Sequence, residues 1–156
     1  MTRVACVGDI AVDSYVNLST KYVGGISFNV AWNLKACGVE SHIVSTVGRD
    51  KDGGDILRML SQRRVSTDHL FVVDGETALQ RILVRDGGER VFDGYRVGVL
   101  SRLSRDLLEG ILWNAFDAVH VPLSDGLEEL FDTIAQVPMQ GTRKVADFSS
   151  DGPNPG

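Results

Sequence analysis

The sequence predicts an α/β fold of three layers, in which a mostly parallel central sheet lies between helices, with a small β lid inserted into it. Apolar runs alternate with helix-like stretches over the first 63 residues and again after residue 100, which is typical of parallel strands joined by crossover helices. Between these regions, residues 70–95 have the pattern of consecutive strands around a glycine turn. We expect this interruption to be an antiparallel hairpin.

The first elements follow from apolar runs and helical spacing. Residues 3–8 are a short apolar run typical of a buried parallel strand, and residues 15–18 suggest a second, more exposed strand. From Ser27, the expected N-cap, apolar residues recur at helical spacing until Gly38 ends the helix. The next two predicted elements are a strand at 42–47 and a helix at 55–63.

The predicted lid consists of residues 13–22 and 70–95. Its strongest local signal is Asp86-Gly87-Gly88, a sequence typical of a hairpin turn. After the lid, the alternation of strands and helices resumes. The predicted elements there are a helix at 104–113, a strand at 118–121, a helix at 126–135, a strand at 144–148 and a terminal loop at 151–156.

Composition narrows the class of protein. The 156 residues are 43% hydrophobic and 24% charged with a net charge of −5, which suits one soluble domain and argues against a nucleic-acid partner. No apolar run approaches the roughly 20 residues of a membrane span, and the N-terminus reads as a strand rather than a signal peptide. Cys6 and Cys37 lack metal-site spacing. We therefore expect a cytoplasmic protein with no nucleic-acid or membrane partner.

A glycine pair is the first candidate for a binding site. Gly24 and Gly25 lack a Cβ, so a small molecule can lie against their backbone. We expect the following helix start to direct free N–H groups and the Asn29 amide toward that molecule. Asp13 is predicted near the end of the first strand, where open α/β sheets bind ligands. Taken alone, these residues also fit an ordinary turn and cap.

Four features occur together in order. They are Gly8-x-x-x-x-Asp13, Gly24-Gly25-x-x-x-Asn29-x-Ala31, Val47-Gly48-Arg49-Asp50-x-x-Gly53, and the inserted hairpin. In combination they resemble the ribokinase-like (PfkB-type) carbohydrate kinases, from Val4 to about Asp151. The resemblance implies the ribokinase-like fold. Within the family, residues 90–95, 116–120 and 146–149 are most similar to fructoselysine kinases.

The resemblance assigns roles to individual residues. It implies that Asp13, Gly25 and Asn29 hold sugar hydroxyls, with Gly24 supporting the turn. The residues that it places on the lid, over the sugar, are Gln80, Arg90 and Tyr95. Arg90 can pair with an anionic part of the substrate, although an exposed hairpin arginine is usually a solvated charge.

Other polar residues receive weaker assignments. Asp147, at the end of a late strand, is a further candidate for the cleft. Asp50 and Asp52 are expected to cap or shape the loop before the second helix. The three histidines have no nucleophile motif beside them, so packing or surface roles are expected.

The parts of the family that transfer phosphate do not occur in this sequence. The family's catalytic base is the Asp of a Gly-Ala-Gly-Asp motif, with Asn-x-x-Glu upstream, and neither string is present. We therefore predict no catalytic residue in this chain. The resemblance implies ATP and Mg²⁺ as cofactors, bound by another half. We expect residues 1–156 to be the N-terminal, lid-bearing half of a truncated fold, able to form a homodimer through the lid or an exposed sheet edge.

The leading functional hypothesis is the sugar-binding half of an ATP-dependent carbohydrate kinase. Its substrate would be a sugar or a fructosamine such as fructoselysine. The alternative is a non-catalytic carbohydrate-binding or regulatory half-domain that acts with a partner chain. A nucleoside or another hydroxyl substrate remains open, since the same scaffold serves several.

Overall fold

The computed structural model describes residues 1–123 and 126–148, which form two sheets and their connecting helices. The loop predicted at 151–156 lies outside the described residues. The strands are β1 Arg3–Val7, β2 Ala11–Tyr15, β3 Thr20–Gly24, β4 Glu40–Gly48, β5 Ser66–Val73, β6 Leu79–Val84, β7 Arg90–Arg96, β8 Ala118–Pro122 and β9 Arg143–Asp147. The helices are α1 Ile26–Ala36, α2 Lys51–Arg63, α3 Arg105–Glu109 and α4 Glu128–Gln136.

The central sheet is parallel throughout and has the strand order β5-β4-β1-β8-β9. Side chains of β1 alternate between its two faces. Val4 and Cys6 pack with α1 and α2 on one face, while Ala5 and Val7 pack with α3 and α4 on the other. The predicted three-layer α/β arrangement with a mostly parallel sheet is confirmed.

The second sheet contains β3-β2-β6-β7 in that order. The β2–β3 and β6–β7 pairs are antiparallel hairpins, and β2 and β6 join them in parallel. The predicted turn at 86–88 is confirmed: Gly87 and Gly88 have φ of +87° and +86°, and the Arg85 amide bonds the Glu89 carbonyl at 2.8 Å.

The predicted boundary of the lid at residue 70 is wrong. Residues 66–73 are β5, an edge strand of the central sheet, and the second sheet resumes only at Leu79. Leu70 packs in one core cluster with Ile56 and Leu60 of α2, so this strand completes a second β-α-β unit. The strand predicted at 15–18 is also displaced, because β2 ends at Tyr15 and a short 3₁₀ turn follows.

Two helices are shorter than their patterns predict. The stretch 104–113 forms α3 only as far as Glu109, because Gly110, a poor helix former, ends it and a separate turn begins at Trp113. The helix predicted from residue 126 begins at Glu128, since Gly126 has φ of +81°, which is not helical. Within the described residues, no helix is long and apolar enough to cross a membrane.

Candidate functional site

Gly24 makes room for the Asp13 carboxylate. Gly24 ends β3 beside β2, and a Cβ built on it would lie 2.5 to 2.9 Å from the carboxylate atoms of Asp13. Any side chain at this position would therefore displace the carboxylate. The sequence predicted that Gly24 supports the turn. In the structure, the absence of a side chain on Gly24 leaves the space that the Asp13 carboxylate occupies.

Gly25 is required by its conformation as well as by its surroundings. Its φ is +105°, which disfavours any residue with a side chain, and it is the N-cap of α1. A Cβ on Gly25 would also lie 2.7 Å from the carbonyl oxygen of Asp9. The glycine pair thus fits a tight entry into α1 directly beside Asp13.

Gly25 occupies the N-cap position of α1, and the side chain that caps the helix is that of Asp9 rather than Ser27. The Ile26 and Ser27 amides donate to the Asp9 carboxylate at 2.7 and 3.0 Å, and the Phe28 amide donates to the Asp9 carbonyl at 3.3 Å. Ser27 is fully buried, and its hydroxyl donates to the Val7 carbonyl at 3.0 Å.

The predictions that Ser27 is the N-cap and that the first amides of α1 are free for a ligand are both wrong. Asp9 lies two residues after the end of β1, and this position was the available signal. A carboxylate at the end of a parallel strand can reach the helix that packs beside that strand.

The side-chain amide of Asn29 is available to bind a ligand. It lies on the first turn of α1, is exposed, and uses its backbone amide to bond the Gly25 carbonyl at 2.9 Å. Within residues 1–123 and 126–148, no hydrogen bond involves its side-chain amide. One donor group and one acceptor therefore remain for a ligand near the glycine pair.

Three of the predicted residues share one row across the second sheet. Asp13 is in register with Gln80, and Gln80 is in register with Tyr95. Register partners point to the same face of a sheet, so their side chains are neighbours. The row continues to Tyr22, the register partner of Asp13 on β3. Sequence reasoning missed Tyr22, although it lies two positions before Gly24 and thus on the same face of β3.

Gln80 presents an acceptor rather than a donor. Its side-chain nitrogen donates to the carbonyls of Gly94 and Arg81, both at 3.0 Å. These bonds use both amide hydrogens, and the one to Gly94 ties β6 to β7 where their register shifts. Only the carbonyl oxygen of the Gln80 side chain remains for a ligand.

Arg90, the first residue of β7, is exposed and lies close to β2. Interaction with the Tyr15 side chain raises the pKa of the guanidinium, and Asp13 contributes in the same direction. Tyr15 in turn packs against Tyr22, with ring centroids 5.7 Å apart at 85°. Arg90 therefore lies beside the row, and contact with a substrate remains a prediction.

The site has a negative electrostatic character. Burial raises the pKa of Asp13, the charge of Arg90 lowers it, and the charge of Asp9 raises it. Loss of solvation, together with Asp9 and Asp13, raises the pKa of Tyr95 to about 12. Both carboxylates thus lie close enough to Tyr95 to affect its ionisation.

Asp147 is the last residue of β9, and His120 lies in the middle of the neighbouring strand β8. The Asp147 carboxylate is partly exposed and lies 3.9 Å from Nε2 of His120. Burial lowers the pKa of His120, whereas Asp147 and Asp9 raise it. Nδ1 of His120 is buried and has no partner among the described residues. The structure thus places Asp147 at the sheet edge that carries Asp9, on the side expected for a cleft.

The predicted capping role of Asp50 is confirmed. Its carboxylate accepts the Gly53 amide at 2.8 Å and is the N-cap of α2. Asp52 instead forms an ion pair with Lys21 of β3 at 2.9 Å. This pair spans a groove of about 570 Å³ between β3 and α2. The other acidic residue lining the groove, Asp55, also forms an ion pair, so we assign no ligand there.

Among the described residues, neither the start of α1 nor any cluster of acidic, histidine or cysteine side chains offers a site for a phosphate or a metal ion. The described residues contain no group of three His, Cys, Asp or Glu side chains arranged to hold a metal. The amides at the start of α1, which could have bound a phosphate, are used by Asp9. We therefore assign neither ATP nor Mg²⁺ to these residues.

Comparison with known proteins places these features in a family. Residues 1–128 match the model described as "pfkB family carbohydrate kinase". A fructoselysine 6-kinase from Escherichia coli (strain K12) is 29% identical over 156 residues, which are 99% of this chain and 58% of the relative. The chain thus spans little more than half the length of this relative.

Solved structures support the same fold. Ribokinase from Giardia lamblia superposes with a TM-score of 0.74 at 17% identity, covering 99% of this chain and 53% of that protein. The nucleoside kinase of Methanocaldococcus jannaschii, described as an archaeal member of the ribokinase family, superposes with a TM-score of 0.73 at 22% identity, covering 97% of this chain and 54% of that protein. The predicted ribokinase-like architecture is confirmed.

Proposed function

The chain belongs to the pfkB family of carbohydrate kinases, and on this premise we propose that it forms the sugar-binding part of an ATP-dependent kinase. The reaction is phosphoryl transfer to a hydroxyl of a sugar or of a fructosamine such as fructoselysine. The observation that carries the proposal is the Asp13 carboxylate, which lies over Gly24 in one row with Gln80 and beside the glycine entry into α1.

The arrangement suits vicinal hydroxyls. Asp13 has no hydrogen-bond donor among the described residues, so its two oxygens can accept from neighbouring hydroxyl groups. The Asn29 amide can both donate and accept on the other side of the glycine pair. The second sheet then acts as the lid, with Gln80, Arg90 and Tyr95 over the sugar, and excludes water that would compete for the phosphoryl group.

The transfer step belongs to other residues. Phosphoryl transfer needs a group that orients the hydroxyl, donors that stabilise developing negative charge, and a metal-bound nucleotide. We propose that a further part of the polypeptide or a partner chain provides the base and binds ATP and Mg²⁺. The 156-residue chain then binds substrate without transferring phosphate.

Calorimetric titration of the folded chain with fructoselysine, fructose and ribose tests this proposal. We expect at least one ligand to bind, and we expect Asp13→Asn to abolish that binding. Asp86→Asn, at the tip of the β6–β7 hairpin, is the matched control and leaves affinity unchanged. A folded chain that binds no sugar contradicts the proposal. The proposal is also contradicted if the chain alone phosphorylates a sugar with ATP and loses this activity in Asp13→Asn.

A second candidate is a non-catalytic carbohydrate-binding or regulatory half-domain that acts with a partner chain. The observation that favours it is the exposed face of β9, where Val145 is 47% exposed, next to Phe148 at 69%. The neighbouring coding sequence distinguishes the two candidates. A Gly-Ala-Gly-Asp motif encoded there, in frame or in a separate partner chain, favours the kinase. The absence of this motif favours the binding module. Because one structural neighbour is a nucleoside kinase, inosine belongs among the titrated ligands.

A further inference from the structure

Lys21 and Asp52 join the second sheet to α2 by an ion pair. The Lys21 ammonium group donates to both carboxylate oxygens of Asp52, at 3.1 and 2.9 Å. The Asp52 side chain is only 16% exposed and lies in the first turn of α2, where the helix dipole favours a negative charge. Within residues 1–123 and 126–148, no other side-chain hydrogen bond or ion pair joins a strand of this sheet to one of the four α-helices.

This ion pair lies behind the second sheet, on the face opposite to the row that contains Asp13. Lys21 is next to Tyr22 on β3, and successive side chains of a strand point to opposite faces. Val12 and Val23 are register partners one position along from the row, and with Lys21 they line the groove of about 570 Å³. The groove therefore separates the back of the sheet from α2.

The attraction across the groove depends on this one pair. Among the described residues that line the groove, Lys21 is the only charged side chain that the second sheet contributes. Lys51 and Arg58 belong to α2 and pair with Asp55 of the same helix, at 2.6 and 2.9 Å. Their charges are thus satisfied within α2, and they do not hold the sheet.

The second sheet leaves the row open to solvent, since Tyr22 and Tyr95 are 62% and 46% exposed. β3 is buried only at its end, where Val23 is half-buried and Gly24 is buried. A lid that excludes water from a sugar has to bring the row closer to the glycine entry into α1. Because the ion pair lies behind the sheet, this movement draws Lys21 away from α2.

We infer that Lys21 and Asp52 form a latch that holds the second sheet away from the sugar, and that this pair sets the affinity for substrate from behind the lid. The inference rests on the function proposed above, which takes the second sheet as the lid. While the ion pair is formed, only a fraction of the chains can cover the sugar, and the measured Kd equals the intrinsic Kd divided by that fraction. Loss of the pair raises the fraction and tightens binding.

Calorimetric titration with fructose and ribose, which are both neutral, tests the latch. Lys21→Met keeps the length of the side chain but removes its charge, and it should bind about threefold more tightly or better. Lys21→Arg keeps the ion pair and should bind like the wild-type chain. Lys51→Met removes a charge from the same groove that pairs within α2, so this matched control leaves affinity unchanged. If Lys21→Met binds no more tightly than Lys51→Met, the inference is overturned.

The salt dependence of binding is a second readout, which a merely structural role of Lys21 would not change. Raising the ionic strength from about 0.01 M to about 1 M shortens the screening length from about 30 Å to about 3 Å. Salt therefore weakens the ion pair, and the affinity of the wild-type chain for a neutral sugar should rise. The affinity of Lys21→Met should stay constant. The same salt dependence in both chains would contradict the latch.

A distance measured without sugar separates this inference from the proposed function. One spin label is attached to Cys37, which is exposed at the end of α1, and the other to the hairpin tip in Asp86→Cys, whereas Cys6 is buried. We expect the distance between the labels to shift in Lys21→Met and to stay unchanged in Lys51→Met. If it shifts but no folded variant binds either sugar, the latch stands and the proposed function fails. If sugar binds and the distance does not shift, the proposed function stands and the latch is wrong.

Discussion

Asp50 holds Thr77 by two hydrogen bonds, one from the Thr77 backbone amide at 2.8 Å and one from its hydroxyl at 2.6 Å. Asp50 caps α2 beside the central sheet, whereas Thr77 is fully buried two residues before the second sheet resumes at β6. The Thr77 hydroxyl also accepts the Gly48 amide at 3.0 Å. This pair therefore fixes the position at which the chain passes from one sheet to the other.

Asp50→Ala should destabilise the fold by about 2 to 3 kcal/mol, because it removes a helix cap and leaves buried donors of Thr77 unpaired. Burial alone would raise the pKa of Asp50, but hydrogen bonds from Thr77 and Gly53 outweigh burial and hold the pKa below its usual value. Urea unfolding measures the loss. Asp74→Ala, which removes an exposed ion pair with Arg49, is the control and should cost less than about 1 kcal/mol. Equal costs would contradict the role of Asp50.

Gly24→Ala should weaken sugar binding at least tenfold in a chain that still folds, because the new methyl group would displace the Asp13 carboxylate. Calorimetry with the best ligand of the wild-type chain measures the change. Gly54→Ala in α2 is the matched control: no atom lies within 4 Å of its added Cβ, and alanine favours the helix. If Gly24→Ala binds like Gly54→Ala, the proposed position of the sugar is wrong.

Asp9→Ala should cost about 2 kcal/mol of folding free energy, because two amides of α1 lose their acceptor. Asp9→Asn retains one acceptor oxygen and should recover part of the loss. Thermal or urea unfolding of the two variants provides the comparison. A cost of Asp9→Ala near zero would contradict the capping role of Asp9.

Stability should decrease as the pH falls below about 6.5. Burial and the charge of His42 lower the pKa of His69, and burial lowers the pKa of His120. Below the ordinary histidine pKa, the unfolded chain binds protons that the folded chain does not, so the free energy of unfolding falls until the folded pKa values are reached. The midpoints of urea unfolding, measured between about pH 7.5 and 5.5, test this prediction, because most carboxylates titrate only at lower pH. His120→Gln should flatten the dependence, and an unchanged profile would contradict the contribution of His120.

The chain should self-associate through an exposed apolar surface. Val145 on the edge strand β9 and Phe148 beside it are 47% and 69% exposed, and Tyr22 and Phe92 project from the second sheet at 62% and 66% exposure. Light scattering over a range of concentrations should give a mass above that of one chain. Val145→Lys lowers this mass if β9 carries the contact, and Phe92→Asp lowers it if the second sheet does. A monomer at every concentration would refute both surfaces.

Local signals predicted the central sheet, the glycine entry into α1 and the hairpin turn. A glycine at positive φ, such as Gly25 or Gly87, is required by backbone geometry at its own position. The predicted boundary of the lid was wrong because the sequence of β5 by itself does not show which sheet the strand joins. Its place in the central sheet depends on pairing with β4 and on packing against α2.

The sequence by itself predicted most of the alternating strands and helices, showed the absence of the family's transfer motifs, and singled out Asp13, Gly24, Gly25 and Asn29 as candidates for one site. Periodicity, turns and short motifs are properties of neighbouring residues. Only the tertiary structure decided that Asp9 caps α1 and that Tyr22 joins Asp13, Gln80 and Tyr95 in one row. Strand register and caps from distant residues depend on how the whole chain packs, and a single residue's shift in register would have turned these side chains to the opposite face.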